Sequence, residues 1–528
     1  MRYDAVVVGA GFAGMYMLHK LRGLGLSVRV FETGDGVGGT WYWNRYPGAR
    51  CDVESMEYSY SFDEELQQEW EWTQRYPSQP EILRYANHVA DRFDLRRDIQ
   101  FETRVTGAGY DETANLWRVR TDRGEHEARY LITAVGCLSA ARIPDFPGVG
   151  AFRGPSYHTG RWPHEGVDFA GQRVAVIGTG SSGIQAIPVI AAQAEHVTVF
   201  QRTANYSLPA WNRPMEPEYA QWVKANYPEI RTTMRTSVNG VMSTFNETSA
   251  LEVTEEDRRR EFETRWAKGG ASFLGAYGDI AINPDANELT AEFVRAKIRE
   301  TVTDPRVAEL LAPKDHPIGT KRICIDTDYY ATYNRPNVTL VDVRAAPIEE
   351  ITASGVRTAD AEYTADMIVY ATGYDAMTGP LLGIDITGKG GLSLRRKWEA
   401  GPRTYLGLMT AGFPNMFTIT GPGSPSVLSN MIVSIEQHVD WIAGCLERLR
   451  ADGVATIDAD PAAEDAWVEH VNEVAGRTLY MRANSWYLGA NIPGKPRVFM
   501  PYVGGVGAYR SRCDQITADG YPGFVLSP

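Results

Sequence analysis

Two sets of three glycines share one spacing. Gly9-Ala10-Gly11-Phe12-Ala13-Gly14 follows the apolar run Ala5–Val8, and Gly178-Thr179-Gly180-Ser181-Ser182-Gly183 follows Val174–Ile177. In such a turn the first glycine permits a sharp reversal. The second lets a pyrophosphate approach the backbone, and the third lets the next helix pack on the strand. The helix N-terminus offers free N–H groups and a favourable dipole to the phosphates. One such motif is weak, but two in strand–turn–helix settings point to two dinucleotides on one chain.

The residue that ends the next strand separates the two sites. In the first unit it is Glu32, whose carboxylate accepts hydrogen bonds from ribose hydroxyls and repels a 2′-phosphate. That suits FAD or NAD. In the second unit the place reads Gln201-Arg202-Thr203, with no acid. A guanidinium matches a phosphate in charge and fork geometry, so this site suits NADPH.

One FAD and one NADPH imply hydride transfer from nicotinamide to flavin. The electrons then go to a dithiol, to a second protein or to dioxygen. Cys51, Cys137, Cys324, Cys445 and Cys513 are odd in number and far apart, so no redox dithiol is indicated. They suit a reducing cytoplasm. The nine histidines form no metal-type cluster with Cys, Asp or Glu, and no metal is expected. A net charge of −13 argues against nucleic acid as partner. No targeting or membrane-spanning segment is expected ahead of the first strand.

The chain has 528 residues, too many for one core. The periodicity predicts strand 4–8, helix 12–24 and strand 27–31, then strand 173–177, helix 181–193 and strand 197–200. The fold class is therefore α/β: two Rossmann-like dinucleotide-binding domains with a helical insertion. We expect residues 1–140 to begin the FAD-binding domain and 150–214 the NADP-binding domain. Residues 215–315 carry charged helical patterns and read as an insertion in the second domain. Residues 316–380 complete the NADP-binding domain, and 381–528 complete the FAD-binding domain. The run Arg258-Arg259-Arg260 is interleaved with acids and reads as a solvated helix face.

Phe152-Arg153-Gly154-Pro155-Ser156-Tyr157-His158-Thr159-Gly160-Arg161-Trp162-Pro163 fits the pattern FxGxxxHxxxWP. With Gly38–Asp52, Gly319-Thr320-Lys321-Arg322, Ala371–Asp375 and Ser485–Lys495, it resembles the Baeyer–Villiger flavoprotein monooxygenases. The resemblance runs over nearly the whole chain and is strongest to the phenylacetone and steroid branches. It implies NADPH- and oxygen-dependent conversion of an aryl, cyclic or steroid-type ketone into an ester or lactone through a C4a-peroxyflavin. No obligatory protein partner is implied. Oxygenation of nitrogen or sulfur in small molecules is the alternative reaction.

Residue roles follow from the same resemblance. Arg322 is the expected cation at the reacting oxygen, and Asp52 its positioning carboxylate. Flavin contacts are expected from Gly9, Gly11, Ala13, Gly14, Glu32, Thr40, Trp41, Trp43, Asp52, Tyr58, Val105 and Met431. NADP contacts are expected from Gly178, Thr179, Gly180, Ser181, Ser182, Gly183, Arg202, Thr203, Lys321 and Trp486, and Arg322 is a further expected cofactor contact, since its match in the family faces the flavin. The substrate wall includes Val53, Cys137, Leu138, Cys324, Val427, Leu428, Met431 and Trp486. His158 resembles a linker between cofactor and domain motion rather than a proton carrier.

Overall fold

A computed structural model describes residues 1–528. Each glycine motif stands where expected. Strand Arg2–Val8 runs from exposed to fully buried and turns at Gly9 into helix Phe12–Gly23, followed by strand Val28–Phe31. Strand Arg173–Ile177 turns at Gly178 into helix Ser181–Ala191, followed by strand His196–Gln201. Within each unit the paired strands are parallel, in the registers Val8 to Phe31 and Ile177 to Phe200.

The first sheet is mixed. Arg2–Val8 lies between Val28–Phe31 and the long strand Gly124–Thr133, both parallel to it. Gly124–Thr133 pairs antiparallel with Leu116–Thr121 on one half, which in turn pairs antiparallel with Val105–Asp111, and parallel with Met416–Thr418 on the other. Asp385–Thr387 pairs with Val105–Asp111, so two strands from the last third of the chain join the first sheet. Helix Met431–Ala451 covers the same domain by packing on helix Phe12–Gly23. The second sheet is wholly parallel. It places Arg173–Ile177 between His196–Gln201 and Met367–Tyr370, flanked by Val338–Asp342 and Ser156–His158.

The region 215–315 is helical, but it does not behave as one insertion. Helices Pro217–Ala225 and Tyr227–Thr236 send Val223, Tyr227, Ile230 and Met234 into the first core. Helices Glu255–Lys268, Pro284–Thr301 and Pro305–Leu311 send Phe262, Val294, Ile298 and Leu311 into the second. Each amphipathic helix buries its apolar face on the nearer core, and the helical period does not say which core that is. Arg259 and Arg260 face solvent. No helix is long and apolar enough to cross a membrane.

Candidate active site

The two glycine turns have the same anatomy. Gly9 and Gly178 have φ of 102° and 111°, where L side chains are strained. A Cβ on either would strike the end of a neighbouring strand, at 2.6 Å from the Ala134 carbonyl oxygen or 2.4 Å from that of Ala371. At Gly14 and Gly183 a Cβ would meet the carbonyl oxygen of Gly9 and of Gly178, respectively, at 1.8 and 2.3 Å. Gly180 differs, since a Cβ there would enter open space. Neither helix that follows has a side-chain cap or an acid in its first turn. Uncapped donors beside a cradle that a Cβ would fill are the surroundings a pyrophosphate needs.

Glu32 is buried at the end of Val28–Phe31. Its oxygens accept from the Ala10 and Gly34 amides at 2.7 and 2.8 Å. Burial pushes its carboxyl up, and these N–H groups pull it back. The segment after it crosses the turn: a Cβ on Gly39 would come 2.8 Å from the Gly11 Cα. Thr40–Trp43 is a single helical turn, and the Trp41 indole donates to the Tyr58 hydroxyl at 3.0 Å. Met431 begins its helix behind the Asn430 cap. Val105 packs in a separate cluster on the first sheet. The acid, the close glycine approach and the aromatic side chains have the chemistry that the ribose and ring portions of a dinucleotide require.

On the second unit, Ser181 and Ser182 are the first helical residues, and the Ser182 hydroxyl lies 3.0 Å from that of Thr159. The Thr179 hydroxyl donates to the Thr203 carbonyl at 3.0 Å. Arg202 is exposed. Burial lowers the Lys321 ammonium; Asp315 opposes this, and the neighbouring Arg202 and Arg344 add to it. Cations that disfavour one another in the free protein fit a site for a phosphate. No sequence motif marks Arg344. It pairs with Asp315 and donates to the Thr203 hydroxyl at 3.1 Å. Asp315 is buried enough to disfavour its charge, yet His316 and Arg344 hold it down to about 2.

The loops from both units meet at Arg322. Its Nε and Nη2 donate to the Asp52 Oδ2 at 3.3 and 3.2 Å, and its Nη1 donates to the Val427 carbonyl at 3.0 Å. The Arg322 side chain as a whole is 34 % exposed, and that of Asp52 15 %. Burial works against the Arg322 charge, but Asp52 reverses that and leaves the guanidinium more firmly protonated than usual. Burial raises the Asp52 carboxyl, partly offset by Arg322. Tyr487 lies beside the same cation; burial pushes its phenol up while Arg322 pulls it down. It follows Trp486 directly within the Ser485–Lys495 motif, which is the signal that marks it. The Trp486 and Tyr487 rings are 4.3 Å apart.

One apolar cluster gathers six of the eight expected wall residues: Cys137, Leu138, Val427, Leu428, Met431 and Trp486. Val53 packs on the first core instead. Cys324 lies in the second core, where its thiol approaches the Ser181 hydroxyl at 3.3 Å and the Asn205 amide at 3.4 Å. Lys495 ties the Trp486 segment to the second domain by reaching Asp375 at 2.6 Å and the Ala376 carbonyl at 2.7 Å.

His158 is buried, with its Nδ1 accepting from the Gly160 amide at 2.9 Å. Its Nε2 therefore carries the proton and donates to the Arg142 carbonyl at 3.1 Å. Arg142 sits on the connection between the domains and reaches the Asn491 carbonyl at 3.1 Å. Burial lowers the imidazole pKa. The five cysteines are unpaired and buried, and no three His, Cys, Asp or Glu side chains group as metal ligands.

A family profile described as pyridine nucleotide-disulphide oxidoreductase matches residues 6–270. A Baeyer–Villiger monooxygenase of Pseudooceanicola batsensis is 45 % identical over 99 % of this chain and 96 % of its own length. A phenazine N-monooxygenase of Lysobacter antibioticus is 44 % identical over 99 % of this chain and 97 % of its own. A solved structure of oxidised steroid monooxygenase bound to NADP superimposes with a TM-score of 0.96 at 55 % identity, covering 100 % of both chains. With two dinucleotide folds, an Arg–Asp pair between them and relatives of this identity over its full length, the chain belongs to the Baeyer–Villiger monooxygenase family of FAD- and NADP-dependent enzymes.

Proposed function

We propose that the protein consumes NADPH and dioxygen to insert one oxygen atom beside a ketone carbonyl, releasing an ester or lactone, NADP⁺ and water. The observation that carries this reading is the Arg322 guanidinium, held by Asp52 and the Val427 carbonyl at the edge of the apolar Cys137–Trp486 cluster. When bound, NADPH supplies the hydride and FAD the centre that takes it and activates oxygen.

The residues divide the remaining work. Asp52 and Val427 fix the Arg322 rotamer, so the cation is in place before negative charge develops on the reacting oxygen. Preorganised charge of this kind lowers a barrier without reorganisation at the moment of reaction. The guanidinium has more N–H donors than its three contacts use, and those left over stabilise that oxygen. Lys321, Arg202 and Thr203 hold the 2′-phosphate, with Glu32 on the flavin ribose. Leu138, Val427, Leu428, Met431 and Trp486 take the apolar part of the ketone and exclude water. An aryl, cyclic or steroid-type ketone suits such a wall. Five buried, unpaired cysteines suit the cytoplasm.

Oxygenation at nitrogen or sulfur is the second reading, favoured by the likeness to a phenazine N-monooxygenase. A panel of aryl, cyclic and steroid ketones, amines and sulfides, with product identified and NADPH consumption measured, decides between them. Ester formed in step with NADPH supports the first reading. Amine or sulfide oxides with no ester from any ketone refute it.

A further inference from the structure

His438 is fully buried on helix Met431–Ala451, outside the groups assigned above. Its hydrogen bonds run in one direction. The Thr420 amide donates to Nδ1 at 2.8 Å. Nε2 therefore carries the proton and faces the Tyr509 hydroxyl at 3.0 Å, which in turn donates to the Leu406 carbonyl at 2.5 Å. Only the neutral imidazole with its proton on Nε2 satisfies all three bonds. Burial, aided by Arg510, pushes the imidazole down to about 3, which keeps it neutral.

Thr420 opens the segment that ends at Leu428, part of the expected substrate wall. Two non-glycine residues in it hold left-handed backbone, Thr420 at φ 55° and Ser426 at φ 39°. Such conformations persist only where surrounding bonds impose them. At this end the Cys137 thiol reaches the Thr420 carbonyl at 3.2 Å and the Ser426 hydroxyl at 3.0 Å. The Ser426 hydroxyl also donates to the Thr420 carbonyl at 3.2 Å. The residue after Ser426 is Val427, whose carbonyl takes Arg322 Nη1.

We propose that His438 is a positioning residue for the oxygenation step: by holding the Thr420 amide it fixes the strained Thr420–Leu428 segment, and so the Val427 carbonyl that orients Arg322. This rests on the role given to Arg322 above.

Two substitutions separate the two imidazole nitrogens. In His438→Asn the amide oxygen falls near the position of Nδ1 and keeps the Thr420 bond. In His438→Gln the amide reaches the position of Nε2 and leaves the Thr420 amide without its acceptor. The readouts are melting temperature, KM and kcat, and oxygenated product formed per NADPH oxidised. His438→Gln is expected to lower product per NADPH about tenfold, the effect of one lost buried bond. Its KM for NADPH should stay unchanged, and His438→Asn should restore most of the product ratio at a similar melting temperature. Tyr509→Phe removes only the partner of Nε2–H and leaves Nδ1 on the Thr420 amide, so product per NADPH should stay within about twofold of wild type. The proposal is overturned if the Gln and Asn variants give the same ratio, if the loss follows melting temperature alone, or if Tyr509→Phe lowers the ratio as far as His438→Gln does. Wild-type product identity tests the ketone reading separately, because the ratio is defined for an ester or an N-oxide alike.

Discussion

Replacing Arg322 probes the reaction and the fold at once. Alanine removes three hydrogen bonds, two to Asp52 and one to Val427, and the only cation that bonds Asp52. Loss of one preorganised donor to a developing oxyanion costs about 3–4 kcal/mol, or 10²–10³ in rate. Breaking a buried ion pair costs about 3–5 kcal/mol in stability, and the 34 % exposure of Arg322 moves this toward the lower end. Arg322→Lys keeps the charge, but one ammonium cannot span both Asp52 and Val427. Its product rate should fall by roughly tenfold, the worth of one charged hydrogen bond. The assay has two arms: anaerobic bleaching of the flavin by NADPH, and ester formed under oxygen. Arg322→Ala should still bleach, while its ester formation drops by about a hundredfold or more. Adding Asp52→Asn should recover part of the lost melting temperature, by removing the stranded carboxylate, without recovering ester. Ester formation by Arg322→Ala within tenfold of wild type would refute the reasoning, as would a loss of ester that merely follows a loss of bleaching.

Two further outcomes are expected. Gly180→Ala should fold with an unchanged melting temperature, since φ is −82° and the Cβ meets nothing, yet bind NADP⁺ more weakly because the methyl enters the pyrophosphate space. Gly178→Ala should lower the melting temperature, because φ is 111° and the Cβ strikes the Ala371 carbonyl; calorimetry on both variants checks the contrast. Glu57 is buried, and burial pushes its carboxyl to about 7, with the Met242 amide as a partial offset. A carboxyl raised on folding contributes stability that is full below its unfolded value, near 4.5, and is lost as pH rises through about 7. Glu57→Gln keeps an acceptor for Met242, so the variant should gain on wild type between those pH values by at most a few kcal/mol. Equal melting curves at pH 5 and pH 8 would contradict the assignment.

Much of the site was legible because it is local. A glycine turn, the strand before it and the acid or arginine after the next strand lie within about one β–α–β unit of chain, and each residue's role there is set by backbone geometry. Glu32 and the glycines therefore stand where their spacing put them. The helical region was legible as helix but not as to which core receives it. Helical period reports that an apolar face exists, not which surface covers it. Cys324 shows the same limit: its place beside Ser181 and Asn205 depends on contacts more than a hundred residues apart in the chain.

The sequence by itself determined two dinucleotide folds, an acid on one and a cation on the other, and, through its family motifs, the kind of oxygen chemistry to expect. These are properties of short segments, and short segments carry their own geometry. The pairing of Asp52 with Arg322, 270 residues apart, was implied by the family motifs, but only the tertiary structure decided its two hydrogen bonds, the Val427 carbonyl that completes the hold, the Tyr487 phenol beside the cation, the His438 bond to Thr420 and the place of Arg344 beside Thr203. Contacts of that range arise where two separately folded cores dock, and no local period or spacing encodes the docking.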